Sequence, residues 1–81
     1  MKETMFLFTN DLFFRNLSFL RKKNCLSLRA LSHLWRMNDY WIKSMEEGTW
    51  GNALPVSKLI RISQIFDVDL NDLVTKDLSI Q

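Results

Sequence analysis

The chain of 81 residues has one cysteine, one histidine, one proline and two glycines. A lone thiol, Cys25, cannot close an internal disulfide, and no signal peptide with a cleavage site opens the sequence. Both point to a reducing cytoplasm as the expected compartment. His33 and Cys25 are single copies, so no zinc-type ligand set is expected and no metal or cofactor is assigned. Two glycines are too few for a glycine-rich phosphate loop. Long apolar runs are missing as well: Asn10, Asp11, Arg15 and Asn16 interrupt the most hydrophobic stretch, which excludes a transmembrane helix there. Glu46 and Glu47 are neighbouring carboxylates, but adjacent helical residues point about 100° apart and no partner base stands near them. An enzyme is therefore not expected.

What the chain does have is apolar surface. Hydrophobic residues make up 47% of the sequence and charged ones 25%, a balance that folds rather than remaining disordered. The length suits a single domain whose core is small, so the monomer is expected to be marginal and dimerisation is a natural remedy. The formal charge of +2 conceals an uneven layout. Residues 1–43 carry Lys2, Arg15, Arg21, Lys22, Lys23, Arg29, Arg36 and Lys43 against three acids, a net of +5. Residues 44–81 sum to −3. A basic front half attracts phosphate and the acidic back half does not.

The hydrophobic pattern is helical almost throughout. β-Branched residues are sparse, and apolar positions recur three or four apart. Phe13, Leu17 and Leu20 share one helical face; Leu31, Leu34 and Trp35 share another; Leu59, Ile62, Ile65 and Phe66 share a third. Helix starts repeat one device. Ser27, Asn38, Asp69 and Thr9 each follow an apolar residue (Leu26, Met37, Val68, Phe8) that lies over the residue four past the cap (Leu31, Ile42, Leu73, Phe13). The polar side chain caps free backbone N–H groups, and the flanking pair staples the entering chain. Five helices are predicted, at about 10–23, 28–35, 39–47, 55–66 and 70–76. Gly48 suits a left-handed stop for the third, and Pro55 suits the first turn of the fourth. Residues 1–8 read as an arm, 9–76 as the domain and 77–81 as a tail.

Between the second and third predicted helices stand only Arg36, Met37 and Asn38. Two short helices joined this tightly are a helix-turn-helix candidate. A generic pair of packed helices in an all-α bundle fits the same spacing. The positions expected to face inward are Leu31, Ser32, Trp35, Met37, Ile42 and Met45.

Three stretches resemble one known family. Asn16-Leu17-x-x-Leu20-Arg21-Lys22-Lys23-x-x-Leu26-Ser27 is similar to the opening of Cro/repressor-type (XRE) helix-turn-helix domains. Glu46-Glu47-Gly48 is similar to the exit from that family's recognition helix. Val56-x-x-Leu59-x-x-Ile62-x-x-x-Phe66-x-Val68-x-Leu70-x-x-Leu73 resembles its fourth and fifth helices. The resemblance spans about residues 12–76 and implies an all-α, five-helix, lambda-repressor-like bundle containing a helix-turn-helix. It further implies a cytoplasmic, homodimeric protein that binds double-stranded DNA and regulates transcription, of phage-repressor or mobile-element type.

On that resemblance the third helix enters the major groove. Asn38, Asp39, Tyr40, Lys43 and Ser44 are then the base-reading candidates, with Glu47 at the margin. Lysine donates to guanine O6/N7, asparagine pairs with adenine N6/N7 and aspartate accepts from cytosine N4. Arg21, Lys22, Lys23, Ser27, Arg29 and Arg36 are the phosphate candidates, Ser27 through a helix N-terminus. Lys58 and Arg61 read instead as snorkelling surface residues, and Trp41 as half-buried.

Four positions depart from the family. Leu28 stands where Gln is common, Arg36 replaces the usual turn glycine, and Asp39 and Glu47 put negative charge on the reading face. These features hold open a second expectation: a helix-turn-helix fold that binds protein, as an antirepressor, a phage-encoded inhibitor or an antitoxin partner. Leu28, Tyr40, Trp50 and the Phe-rich arm would carry that contact. Phe6, Phe8 and Trp50 are the candidates for a dimer or partner interface, where aromatics are enriched. Core packing explains them equally well.

Overall fold

Three of the five helices start where a side-chain cap and a stripe of apolar residues coincide. The computed structural model describes residues 5–7, 11–50 and 53–80, with side chains for residues 12–50 and 54–80. Its helices are α1 (Asp11–Lys23), α2 (Leu28–Trp35), α3 (Asp39–Glu47), α4 (Val56–Phe66) and α5 (Leu70–Thr75), followed by a 3₁₀ turn at Leu78–Ile80. All five lie within a residue of the ranges expected from the sequence. The caps explain the agreement. Ser27 accepts from the Ala30 N–H, Asn38 from Tyr40 and Asp69 from Asn71, each satisfying a donor that a helix start leaves free. Thr9 and Phe8, read as a fourth cap and staple, lie outside the described residues.

The helix ends are equally local. Cys25, Arg36, Gly48 and Asp67 all have positive φ and turn the chain out of α1, α2, α3 and α4. Only one of the four is glycine. Aspartate tolerates this conformation better than most residues, whereas Cys25 and Arg36 hold it against a cost of about 1 kcal/mol each.

The core draws on every helix. Phe13, Leu17, Leu31, Ile42, Met45, Ile62 and Leu73 are fully buried, and Phe14, Leu20, Trp35, Met37, Leu54 and Leu59 nearly so. Among the inward positions of α2 and α3, the apolar ones are all buried and Ser32 is half-buried. Leu34 differs: it is 43% exposed, because the buried stripe of α2 runs through Leu31 and Trp35 and leaves Leu34 on its flank. Among the described residues one polar side chain, Asn16, is buried with these hydrophobes. Its Nδ2 donates to the carbonyls of Leu73 (2.8 Å) and Lys76 (2.6 Å), and its Oδ1 accepts from the Leu78 N–H at 2.9 Å. One side chain of α1 thereby closes the carbonyl end of α5 and anchors the 3₁₀ turn. Leu78 packs on the core, so the stretch read as a tail returns to the body of the domain.

A short two-stranded antiparallel sheet is added to the expected bundle. Strand β1 (Met5–Leu7) pairs with β2 (Ala53–Pro55) in the register Met5–Pro55, Phe6–Leu54, Leu7–Ala53. Part of the stretch read as an arm is therefore a strand. Pro55 closes β2 and occupies the cap position of α4, one residue before the first turn where it was expected. Among the described residues no helix is long and apolar enough to cross a membrane.

Candidate nucleic-acid interface

The turn between α2 and α3 is fastened from both sides. The N–H groups of Arg36 and Met37 donate to the Ser32 carbonyl, and Ser32 Oγ donates to the Met37 carbonyl. From α4, Lys58 Nζ reaches the carbonyls of Arg36 (3.2 Å) and Trp35 (3.5 Å), while Arg61 Nε reaches Leu34 at 3.4 Å. These cations sit at the carbonyl end of α2, where the helix dipole favours positive charge. Trp35 answers by donating its indole N–H to the Lys58 carbonyl at 2.8 Å. Lys58 and Arg61, read as surface residues, brace the turn.

This bracing fixes α3 with one face inward and one outward. Ile42 and Met45 are buried, whereas Asn38, Asp39, Tyr40, Lys43 and Glu47 are exposed and Ser44 is half-buried. The five base-reading candidates thus belong to one turn and helix, but two have part of their polar capacity committed. Asn38 Oδ1 accepts from the Tyr40 N–H at 2.8 Å, which leaves one lone pair of that oxygen and the NH₂ for an outside partner. A two-bond pairing with adenine requires the same amide oxygen, so the cap fixes the orientation in which Asn38 can offer it. Ser44 Oγ donates to the Tyr40 carbonyl at 3.1 Å, leaving lone pairs for a base donor. Tyr40 is open to solvent, at 70% exposure.

Lys22, Lys23, Arg29 and Arg36 are exposed and make no ion pair among the described residues. Lys23 stands 5.7 Å from the Phe19 ring centroid. Ser27 is exposed at the N-terminus of α2, its hydroxyl oxygen accepting from Ala30.

Arg21 leaves the group of available cations. Its guanidinium binds Glu46 through two bonds, Nε to Oε2 at 2.6 Å and Nη2 to Oε1 at 2.9 Å, and its Nη1 donates to the Leu26 carbonyl at 2.8 Å. Side-chain exposure is only 13% for Arg21 and 11% for Glu46. The hydrogen bond to Glu46 raises the arginine pKa still further above the physiological range. Counted along the sequence, Arg21 belongs with Lys22 and Lys23; one 100° helical step turns it away from them and onto α3. It therefore holds the protein together rather than presenting charge to a ligand.

Of the interface aromatics, Phe8 and the Phe6 side chain lie outside the described residues. Trp50 is half-buried, packs against the core and meets Trp41 in a tilted ring contact, centroids 5.6 Å apart and planes inclined by 48°. Trp41 remains 47% exposed. Leu28 is half-buried against the core, so part of its surface is already used. Sequence reasoning did not find the Asn16 clasp, the Arg21–Glu46 pair or the Trp41–Trp50 stack. A polar residue within the apolar stripe of α1 was the available signal for the first; the other two join positions far apart in sequence.

No family model and no curated protein sequence matches the chain. Several solved structures do match its fold. The N-terminal DNA binding domain of SinR from Bacillus subtilis superposes with a TM-score of 0.72 at 19% identity, covering 84% of this chain and 97% of that one. The restriction-modification controller protein C.AhdI from Aeromonas hydrophila gives 0.64 at 19% identity, covering 82% and 98%. An HTH_3 family transcriptional regulator from Vibrio cholerae gives 0.66 at 20% identity; the match spans 90% of this chain and 39% of that longer protein. The five-helix bundle with its helix-turn-helix is the fold that these domains share.

Proposed function

We propose that the chain is a double-stranded DNA-binding transcriptional regulator, acting as a small cytoplasmic homodimeric repressor of phage or mobile-element type. One observation carries the reading: a braced helix-turn-helix holds the outward face of α3 open to solvent, while α1 and α2 supply exposed cations that make no ion pair among the described residues. The fold neighbours, described as a DNA binding domain, a controller protein and a transcriptional regulator, support it. The activity is binding rather than catalysis. Lys22, Lys23, Arg29, Arg36 and the N-terminus of α2 at Ser27 hold phosphates, which supplies most of the affinity and none of the sequence preference. Lys43 donates to guanine, Asp39 accepts from cytosine N4, and Asn38, Tyr40 and Ser44 complete the base-reading set. Two copies of α3, about 34 Å apart in successive major grooves, then exclude polymerase from the site.

A second reading draws on Asp39 and Glu47, whose exposed carboxylates repel phosphate. In it the same face binds a protein partner.

Selection from a random duplex pool separates the two. The DNA reading expects an inverted-repeat site whose affinity falls steeply with salt. Lys43→Ala then relaxes one base position, and Lys22→Ala weakens all sites about equally. Recovery of no enriched sequence at low salt, with a host protein retained on the immobilised chain, establishes the second reading instead.

A further inference from the structure

The Trp41–Trp50 stack has an unusual position. Gly48 ends α3 with φ 80°, and the Thr49 N–H and Oγ1 both bond back to the Ser44 carbonyl, at 2.9 and 3.2 Å. The chain leaving α3 therefore doubles back along the helix, which seats Trp50 against Trp41. Trp50 packs on the core as well, so it acts as a backing plate that restrains an otherwise free indole. Around the axis of α3, Trp41 lies about 100° from Tyr40 and about 60° from Ser44. A surface pressed against Tyr40 and Ser44 consequently meets the open side of Trp41.

Charge indicates what kind of contact α3 makes. Its outward carboxylates, Asp39 and Glu47, outnumber its outward cation, Lys43. Among the described residues, the exposed cations without an ion pair on the neighbouring elements include Lys22, Lys23, Arg29 and Arg36. Attraction for phosphate thus resides in α1, α2 and the turn, and α3 has little to add to it. What α3 adds is apolar: Tyr40 at 70% and Trp41 at 47% exposure, the latter with its ring against Trp50.

Resting on the DNA-binding reading, we propose that the Trp41–Trp50 pair is a non-ionic contact for duplex DNA, receiving thymine C5-methyl groups and the adjoining deoxyribose at the wall of the groove that α3 enters. Such a contact is preorganised, since the stack already exists without the ligand. It distinguishes thymine from the other bases through its methyl group, the one apolar handle on the major-groove edge.

The test uses the full chain with a duplex enriched by selection and the same duplex carrying deoxyuridine, which lacks only the methyl, in place of thymidine. Trp41→Ala is expected to weaken binding about tenfold while the slope of log K against log salt stays that of the parent, because no counterion release is lost. Deoxyuridine at one or two positions weakens the parent by a similar factor and leaves Trp41→Ala unaffected. Tryptophan emission provides an independent signal. Trp35 is 1% exposed with its indole N–H bonded internally, so a change on adding DNA arises from the pair. The change is expected to shrink in Trp41→Phe, which removes one of the two reporters and keeps an aromatic ring against Trp50.

Parent-like affinity and parent-like response to deoxyuridine in both variants overturn the inference while leaving DNA binding intact. A variant that binds DNA as the parent does but sediments as a monomer where the parent is a dimer assigns the pair to a contact between copies, which also overturns it. Failure of the parent to bind any duplex removes the DNA reading, and this inference with it.

Discussion

The guanidinium of Arg21 and the carboxylate of Glu46 form a two-bond ion pair that ties the C-terminal turn of α1 to that of α3. Ser18 Oγ adds a longer contact to the same carboxylate at 3.4 Å, and the third arm of the guanidinium holds the Leu26 carbonyl at the entry to α2. The pair sets the pitch of α3 against the bundle, and with it the direction in which the outward face points. Arg21→Ala leaves a mostly buried carboxylate without its cation and should destabilise the fold by about 2–3 kcal/mol, read as the shift of a urea unfolding curve. Glu46→Gln retains one acceptor and should lose about 1 kcal/mol. A coupling energy near zero in the double-mutant cycle is the result that contradicts this account.

Asn16 is the second polar element of the core, and its three bonds join segments from the two ends of the domain. Asn16→Ala strands two carbonyls and one N–H and should cost roughly 3 kcal/mol. Asn16→Asp should be no milder, despite its matching shape, because a carboxylate facing the carbonyls of Leu73 and Lys76 replaces donation with repulsion. Equal stability of Asn16→Leu and the parent would show that volume alone matters at this site.

Arg36 is expected to trade stability for charge. Its φ of 58° lies in the left-handed region, where a side chain adds strain of about 1 kcal/mol. Arg36→Gly relieves that strain but gives the unfolded chain more freedom, for a net gain of about 0.5 kcal/mol. Binding to any duplex should weaken at the same time, with the salt slope reduced by about one unit for the lost phosphate contact. Thermal unfolding and a salt titration of binding measure the two effects separately.

Asp77 supplies a titration marker for the C-terminal 3₁₀ turn. The Ser79 hydroxyl donates to its carboxylate and holds the pKa below the ordinary aspartate value; desolvation opposes this, while the Ser79 backbone N–H and the charge of Arg15 add smaller contributions in the lowering direction. A depressed folded-state pKa contributes stability above the unfolded-chain value, and this is lost as pH falls through the folded one. NMR titration of the carboxyl group should give a low midpoint that rises in Ser79→Ala.

Helix boundaries were legible in the sequence because their causes are local. Ser27, Asn38 and Asp69 bond donors two or three residues ahead, and Gly48 turns the chain through its own φ. The inward faces of α2 and α3 were legible for the same reason, since helical geometry repeats every 3.6 residues. Which charges are available was not. Arg21 and Lys22 are neighbours in sequence and look equivalent there, yet one is paired across 25 residues and the other is exposed.

The sequence by itself determined an all-helical bundle with a tight α2–α3 turn, a basic front half, and the residues on the outward face of α3. Those properties follow from capping, periodicity and charge, none of which needs a distant partner. Tertiary structure decided the rest. It withdrew Arg21 from the cationic surface, committed part of Asn38 and Ser44 to the backbone, folded residues 5–7 onto 53–55, and set Trp50 behind Trp41. Each of these depends on which surfaces meet when the helices pack, and a one-dimensional pattern records which face a residue takes but not what it will find there.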